Sequence, residues 1–227
     1  MASIIKKNSF IQTYNRLYER YGPQNWWPAD SAFEIIIGAI LTQSTSWVNA
    51  KKALENLKSS GYLSPHKIRS LSHIELANLL RPSQYFNSKA KKVQEFSKHL
   101  GARHEDDIDK MLSQDTTTLR KELLSIYGIG QETTDDILLY AAQKPVFVVD
   151  SYTRRIFARL RLSSLSQTYL DYQQLFQKHL PNDKALYNEY HALIVRHAKI
   201  ACKTDPLCTN CCLIQSCHYG KNITINA

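Results

Sequence analysis

Apolar residues recur along this chain at helical spacing, and no stretch alternates convincingly as a strand would. Phe10, Tyr14, Leu17 and Tyr18 mark one face of a first helix, which Gly22-Pro23 ends. Phe33, Ile36, Ile37, Ile40 and Leu41 then form the stripe of a buried helix. Ser31-Ala32-Phe33-Glu34 opens it with the pattern of a capping box, which makes Glu34 a cap. The stripe runs into Thr42-Gln43-Ser44-Thr45-Ser46, a polar tip able to present side chains to a ligand or simply a solvated loop. Helical patterns continue over 48–58 and 74–80. After a turn at Arg81-Pro82-Ser83, Asn87-Ser88-Lys89-Ala90 opens a basic helix.

The segment that organises the rest follows. Leu119, Leu123 and Ile126 lead into Gly128-Ile129-Gly130, and a second helical pattern runs from there to about 142. Two of only seven glycines stand here, one residue apart. A Gly-x-Gly between helices allows a tight turn with positive φ and leaves amides bare at the start of the second helix, where phosphate binds well. An ordinary helix–helix turn accounts for the same pattern. Lys144-Pro145 ends the second helix, and 146–149 is too short and isolated for a sheet, so it reads as an extended connector. Asp150 is placed to N-cap the next helix, 151–161. Leu186, Tyr190, Leu193, Ile194 and His197 mark another helix, which delivers the chain to Cys202. The fold class is all-α. Adjacent Trp26 and Trp27, before Pro28, cannot share one helix face. They form either seam packing or an aromatic wall for a planar ligand.

Composition narrows the function. The 227 residues are enough to bury a substantial core in one large or two small domains. No apolar run is long enough to span a bilayer, and the first residues carry no signal-peptide pattern. A cytosolic protein is expected, in a bacterium one of the cytosol and nucleoid, and a monomer without membrane contact. A net charge of +9 and a pI near 9.3 favour a polyanionic partner. The cations (Lys51, Lys52, Lys89, Lys91, Lys92, Arg154, Arg155) are spread out, as on a folded basic face rather than a tail.

All five cysteines lie between 202 and 217. Cys202, Cys208, Cys211 and Cys217 have a spacing that suits a 4Fe–4S cluster or a four-cysteine zinc site. Only one close pair is present, whereas zinc ribbons carry two, so the iron–sulfur cluster is preferred and zinc is the alternative. Cys212 is left over and could exchange roles with Cys211.

Taken together, Ile40-Leu41-Thr42-Gln43, Asn87-Ser88-Lys89-Ala90, Gly128-Ile129-Gly130, Val148-Val149-Asp150-Ser151 and the cysteine loop resemble the helix-hairpin-helix DNA glycosylases of the endonuclease III superfamily. The resemblance covers nearly the whole chain. It implies a two-lobed all-α fold: an N-terminal helix (1–25) packing with a C-terminal cluster-bearing domain (143–227), and a six-helix domain (26–142) carrying the hairpin. It also implies that DNA binds across the cleft between the lobes. Bifunctional members carry a lysine two residues after the second hairpin glycine, and here that residue is Glu132. Adenine glycosylases place a glutamate where this chain has Gly38, and the usual proline before the first hairpin glycine is Tyr127. Trp26-Trp27-Pro28 with Ile40-Leu41-Thr42-Gln43 and Gly128-Ile129-Gly130-Gln131-Glu132-Thr133 is most similar to the 3-methyladenine DNA glycosylase III branch.

That branch implies a monofunctional enzyme that flips N-alkylated purines out of double-stranded DNA and releases them hydrolytically. Asp150 would stabilise the oxocarbenium-like sugar and direct the water. Gln43 would fill the vacated space. Gly128, Ile129, Gly130, Gln131 and Thr133 would hold the backbone of the lesion strand. Trp26, Trp27 and Pro28 would wall the base pocket, and the four cysteines would hold the cluster. The alternatives are an endonuclease III-like glycosylase and lyase for oxidised pyrimidines, working through a different lysine, and a non-enzymatic lesion-binding protein.

Overall fold

The computed structural model describes residues 8–225. The chain divides into two units: one runs up to Trp26 and resumes at Pro145, and the other is Trp27–Lys144. Among the described residues every regular element is helical, so the fold is all-α. No helix among them is long and apolar enough to cross a membrane.

Helix α1 (Ser9–Tyr21) buries Phe10 and Leu17 completely and is closed by Gly22 at φ +66°, whose amide bonds Tyr18 O at 2.8 Å. That left-handed conformation is the reason for a glycine there.

The second unit is built around α2 (Ala32–Leu41), whose apolar stripe is buried throughout. Ser31 Oγ caps it by accepting from Glu34 N at 3.1 Å. The expected capping box is only half formed, because the Glu34 carboxylate turns to Asp30 N (3.0 Å) and Lys58 Nζ (3.0 Å). Around α2 run α3 (Trp47–Ser59), α4 (Pro65–Ser70), α5 (His73–Leu80), α6 (Phe86–His104), α7 (Ile108–Leu112), α8 (Thr116–Ser125) and α9 (Gln131–Asp136). α9 continues as a π-helical turn at Ile137–Ala141. Lys89 is a buried strut: its ammonium donates to Leu41 O at 2.8 Å and Ser83 O at 2.5 Å, at the C-terminal end of α2 and in the turn before α6. Burial, with the nearby Lys92 charge, lowers its pKa to about 8.

The first unit resumes at 146–149, an extended and fully buried run that leads into α10 (Ser151–Arg159). Then come α11 (Tyr169–His179), α12 (Lys184–Ile200) and α13 (His218–Ile225). Gln173 Nε2 satisfies Phe147 O at 2.8 Å inside this core. Phe10, Phe147, Phe157, Phe176 and Tyr190 form one aromatic cluster, with Phe147 stacked on Phe176 at 4.0 Å. Each such ring contributes about 1.5–3 kcal/mol by leaving water. The cluster ties α1 to a segment almost 140 residues later in the chain.

Candidate functional site

The turn between α8 and α9 is shaped by two glycines that do different things. Gly128 has φ +79°, and a Cβ there would lie 2.4–2.8 Å from the aliphatic stem of Lys92. Only glycine combines that conformation with that close approach. Gly130 is extended at φ −94°, ψ −177°, with open space where a Cβ would stand, so the expectation of positive φ holds for the first glycine and not the second. Ile129 is buried beneath the turn, while Gln131 and Glu132 are exposed. Gly130 is the N-cap of α9 and no side chain caps that helix, which leaves its first amides directed outward. The hairpin is braced from below by an ion pair between Arg120 and the fully buried Asp135.

Gln43 is fastened to this turn. Its Nε2 donates to Gly128 O at 3.1 Å and Thr133 Oγ1 at 2.9 Å, and its Oε1 accepts from Lys92 Nζ. Residues 43, 92, 128 and 133 are thus one hydrogen-bonded group, although they come from three separate stretches of sequence. Lys92 was among the basic residues of the sequence, with nothing there to single it out.

Trp27 packs edge-on to Trp47 at 5.2 Å and is tilted against Tyr140 at 5.4 Å. Its ring lies over Gly38, where a Cβ would approach Trp27 Cζ2 at 3.0 Å. The missing side chain at 38 and the indole therefore belong together. Trp26 is half-buried, and Pro28 is exposed.

Asp150 ends the buried extended run and begins α10. Its Oδ1 accepts from Thr153 N at 2.7 Å, the N-cap expected of it. Its Oδ2 lies 3.6 Å from His191 Nε2, on the buried face of α12. Burial acts to raise the carboxyl pKa, but His191 and the Thr153 amide outweigh it and hold the group below its ordinary value. A carboxylate kept ionised out of water can stabilise positive charge on a substrate. The sequence signal for His191 was a histidine set within the apolar stripe of α12.

Cys202, Cys208, Cys211 and Cys217 all line one small apolar cavity together with His197. Their sulfurs are not among the groups of three or more donors that lie within 4.8 Å of one another. Arg159 Nη1 meets Cys202 Sγ at 3.2 Å, Cys217 Sγ accepts from Gly220 N at 3.4 Å, and Cys211 Sγ lies 3.6 Å from His197 Nε2. Burial pushes the thiols of Cys208, Cys212 and Cys217 up, and that of Cys211 up to about 11. Among the described residues the donors that do converge are His99, His104 and Glu122, within 4.8 Å of one another. The expectation of a 4Fe–4S cluster at the cysteines, or of zinc in its place, is corrected accordingly, and no chemistry is assigned to such a group.

An all-α fold with a glycine hairpin and a buried, ionised aspartate capping the helix that follows defines a DNA glycosylase class. Residues 37–182 match the model of the HhH-GPD superfamily of base excision DNA repair proteins, and the chain belongs to that family. It is a DNA glycosylase of base excision repair. A protein of Methanocaldococcus jannaschii that bears the name of a DNA repair glycosylase is 42% identical over 94% of this chain and 99% of its own length. Endonuclease III of Sulfolobus acidocaldarius is 27% identical over 83% of this chain and 82% of its own. Among solved structures, a non-covalent complex of endonuclease III with DNA superposes with a TM-score of 0.85 at 20% identity, over 98% of this chain and all of that one. A 3-methyladenine DNA glycosylase of H. pylori bound to 1,N6-ethenoadenine gives 0.72 at 28% identity, over 84% of this chain and 97% of that one.

These matches correct the expected substrate and mechanism. Endonuclease III recurs among the relatives and gives structural matches over almost the whole chain. The resemblance therefore stands at the level of the endonuclease III-like superfamily and not of the 3-methyladenine branch, and the monofunctional alkylpurine enzyme gives way to the endonuclease III-like reading.

Proposed function

We propose that this chain is an endonuclease III-type glycosylase and lyase that excises oxidised pyrimidines from double-stranded DNA. The observation that carries the reading is the run of endonuclease III relatives covering 83–95% of the chain. In this reading the hairpin turn of Gly128, Ile129, Gly130, Gln131 and Thr133 holds a phosphate of the lesion strand at the start of α9, which no side chain caps. Gln43 enters the space the extruded base leaves. Trp26, Trp27 and Pro28 wall the pocket, and Asp150 stabilises positive charge on the sugar.

Position 132 holds a carboxylate, so the amine must come from elsewhere. Lys92 is our candidate, because its stem crosses Gly128 and its ammonium is held by Gln43. As the neutral amine, Nζ attacks the sugar C1′ while the N-glycosyl bond breaks and the base leaves with the bonding pair, taking up a proton. The amine proton passes, by way of water, to the ring oxygen as the C1′–O4′ bond breaks and the imine forms. Loss of a C2′ proton to water then forms the C2′–C3′ double bond and expels the 3′-phosphate.

The test is borohydride trapping on a duplex carrying a single dihydrouracil, with wild type, Lys92→Gln and Asp150→Asn. Wild type is expected to give a covalent adduct and free base, and Lys92→Gln to give no adduct and to release base far more slowly. Asp150→Asn keeps an N-cap acceptor and is expected to bind DNA but release base about 10²–10⁴-fold more slowly. An adduct that persists in Lys92→Gln removes that lysine from the mechanism. Base release with no adduct in wild type refutes the lyase half, and no release refutes the substrate class.

A further inference from the structure

A second cluster of chemistry joins the end of α6 to α8, the hairpin's first helix. His99 and His104, on the last turns of α6, and Glu122, on α8, converge on one point. His99 Nε2 lies 2.7 Å and His104 Nε2 2.6 Å from the same oxygen, Glu122 Oε1. All three side chains are mostly buried, with 11–17% of their surface exposed. Gln114 Nε2 donates to the other carboxylate oxygen, Oε2, at 2.7 Å. The carboxylate is therefore oriented from behind, and its free edge is turned toward the imidazoles.

We infer that His99, His104 and Glu122 form a binding site for a divalent transition-metal cation of the zinc type. Two imidazole nitrogens and one carboxylate oxygen are a donor set that zinc takes up in its open, three-protein-ligand sites, with water in the fourth position. The donors sit on two helices rather than on loops, so the site is largely formed before the metal arrives. Gln114 supplies the outer contact that fixes a ligating carboxylate in such sites. The incomplete burial leaves room for the water ligand and a route of entry. His104 Nδ1 is buried with no hydrogen-bond partner, so nothing in the metal-free arrangement commits that ring to one tautomer except Glu122 itself. The consequence for the fold is local. A cation here ties the end of α6 to α8, the helix that leads into Gly128-Ile129-Gly130.

The experiment is titration of the full chain with CoCl2 followed by visible spectroscopy, and with ZnCl2 followed by thermal unfolding, in wild type, His99→Gln and Glu122→Gln. Both substitutions retain a side chain able to hydrogen-bond across the cluster, so the fold is expected to persist. Helical circular dichroism checks that. Wild type is expected to bind one equivalent of Co2+ with bands of a nitrogen and oxygen site and no sulfur-to-cobalt charge transfer. Zn2+ is expected to raise its unfolding midpoint. Each folded variant should bind more than about tenfold more weakly and lose the midpoint shift. Absence of cobalt uptake overturns the proposal. So does a sulfur charge-transfer spectrum that His99→Gln leaves unchanged, since the cation is then at the cysteines.

Discussion

His191 Nε2 stands 3.6 Å from Asp150 Oδ2, inside a unit where both side chains are almost wholly buried. The pair fixes the charge of the one carboxylate on which the chemistry is proposed to rest. Because the folded pKa of Asp150 is depressed, the stability it contributes is present above the ordinary carboxylate value and lost as pH falls through the folded value. His191→Leu removes the partner and leaves Oδ2 buried against an apolar side chain. The carboxyl pKa should rise. A pH profile of base release should show the acid limb displaced upward, with DNA affinity at neutral pH unchanged. A profile that only scales down, without moving, would mean His191 acts through packing alone.

The two hairpin glycines make opposite predictions. Gly128→Ala meets a left-handed backbone and the Lys92 stem together. The conformation alone costs about 1–2 kcal/mol, and the lysine has to be displaced as well. Unfolding in urea should show the loss. Gly130→Ala meets nothing within 4 Å and an ordinary φ, so its unfolding curve should overlay that of wild type. If a phosphate approaches the outward amides there, Gly130→Ala nevertheless weakens DNA binding, and a gel-shift titration separates the two effects.

Lys89 reports on the core through pH. Its folded pKa of about 8 is below the ordinary lysine value of 10.5, so the unfolded chain holds the proton more tightly. Stability therefore rises as pH increases between those two values, and that contribution is lost as pH falls through about 8. Lys89→Met removes this slope. It also strands Leu41 O and Ser83 O, at about 1–3 kcal/mol for each buried acceptor left unpaired. Denaturant midpoints at pH 7, 8.5 and 9.5 check both statements. Parallel curves for the two proteins would show that the lysine does not titrate in the folded state.

Gly38→Ala tests the contact with Trp27. The added methyl would sit at 3.0 Å from Cζ2 and 3.3 Å from Nε1, so the indole has to give or the helix loses stability by about 1–3 kcal/mol. Tryptophan fluorescence should shift in the folded variant, because Trp27 also touches Trp47 and Tyr140. An unchanged spectrum and midpoint would mean the ring has free room on its other side.

Much of this was written locally in the chain. The stripe from Phe33 to Leu41 announced α2, and Asp150 announced its own cap, because both signals lie within a few residues of each other. Thr168 and Asp171 form a capping box that opens α11, and that local signal went unused because the Gln173 in its core face broke the apolar stripe. α4 and α7 were not legible for a different reason: with six and five residues they are too short to repeat a pattern. Glu34 turned from its own helix cap to Lys58, a partner 24 residues away that the local pattern could not supply. The group formed by Gln43, Lys92, Gly128 and Thr133 spans up to 90 residues of sequence. It exists only because α2, α6 and the hairpin meet, and no local periodicity encodes that meeting. Asp150 could be named from the chain, but His191 could not, since a histidine within an apolar stripe is ordinarily read as packing.

The fastening of Gln43 also bears on how such a protein would search. If Gln43 is the wedge proposed above, its engagement by Gly128 O, Thr133 Oγ1 and Lys92 would keep it sheathed on intact duplex. It can be drawn only where a weakened base pair opens a space that returns those three bonds in another form. Discrimination then begins before any base reaches a pocket: most encounters end with the wedge never leaving its seat, and residence time on DNA becomes a measure of damage.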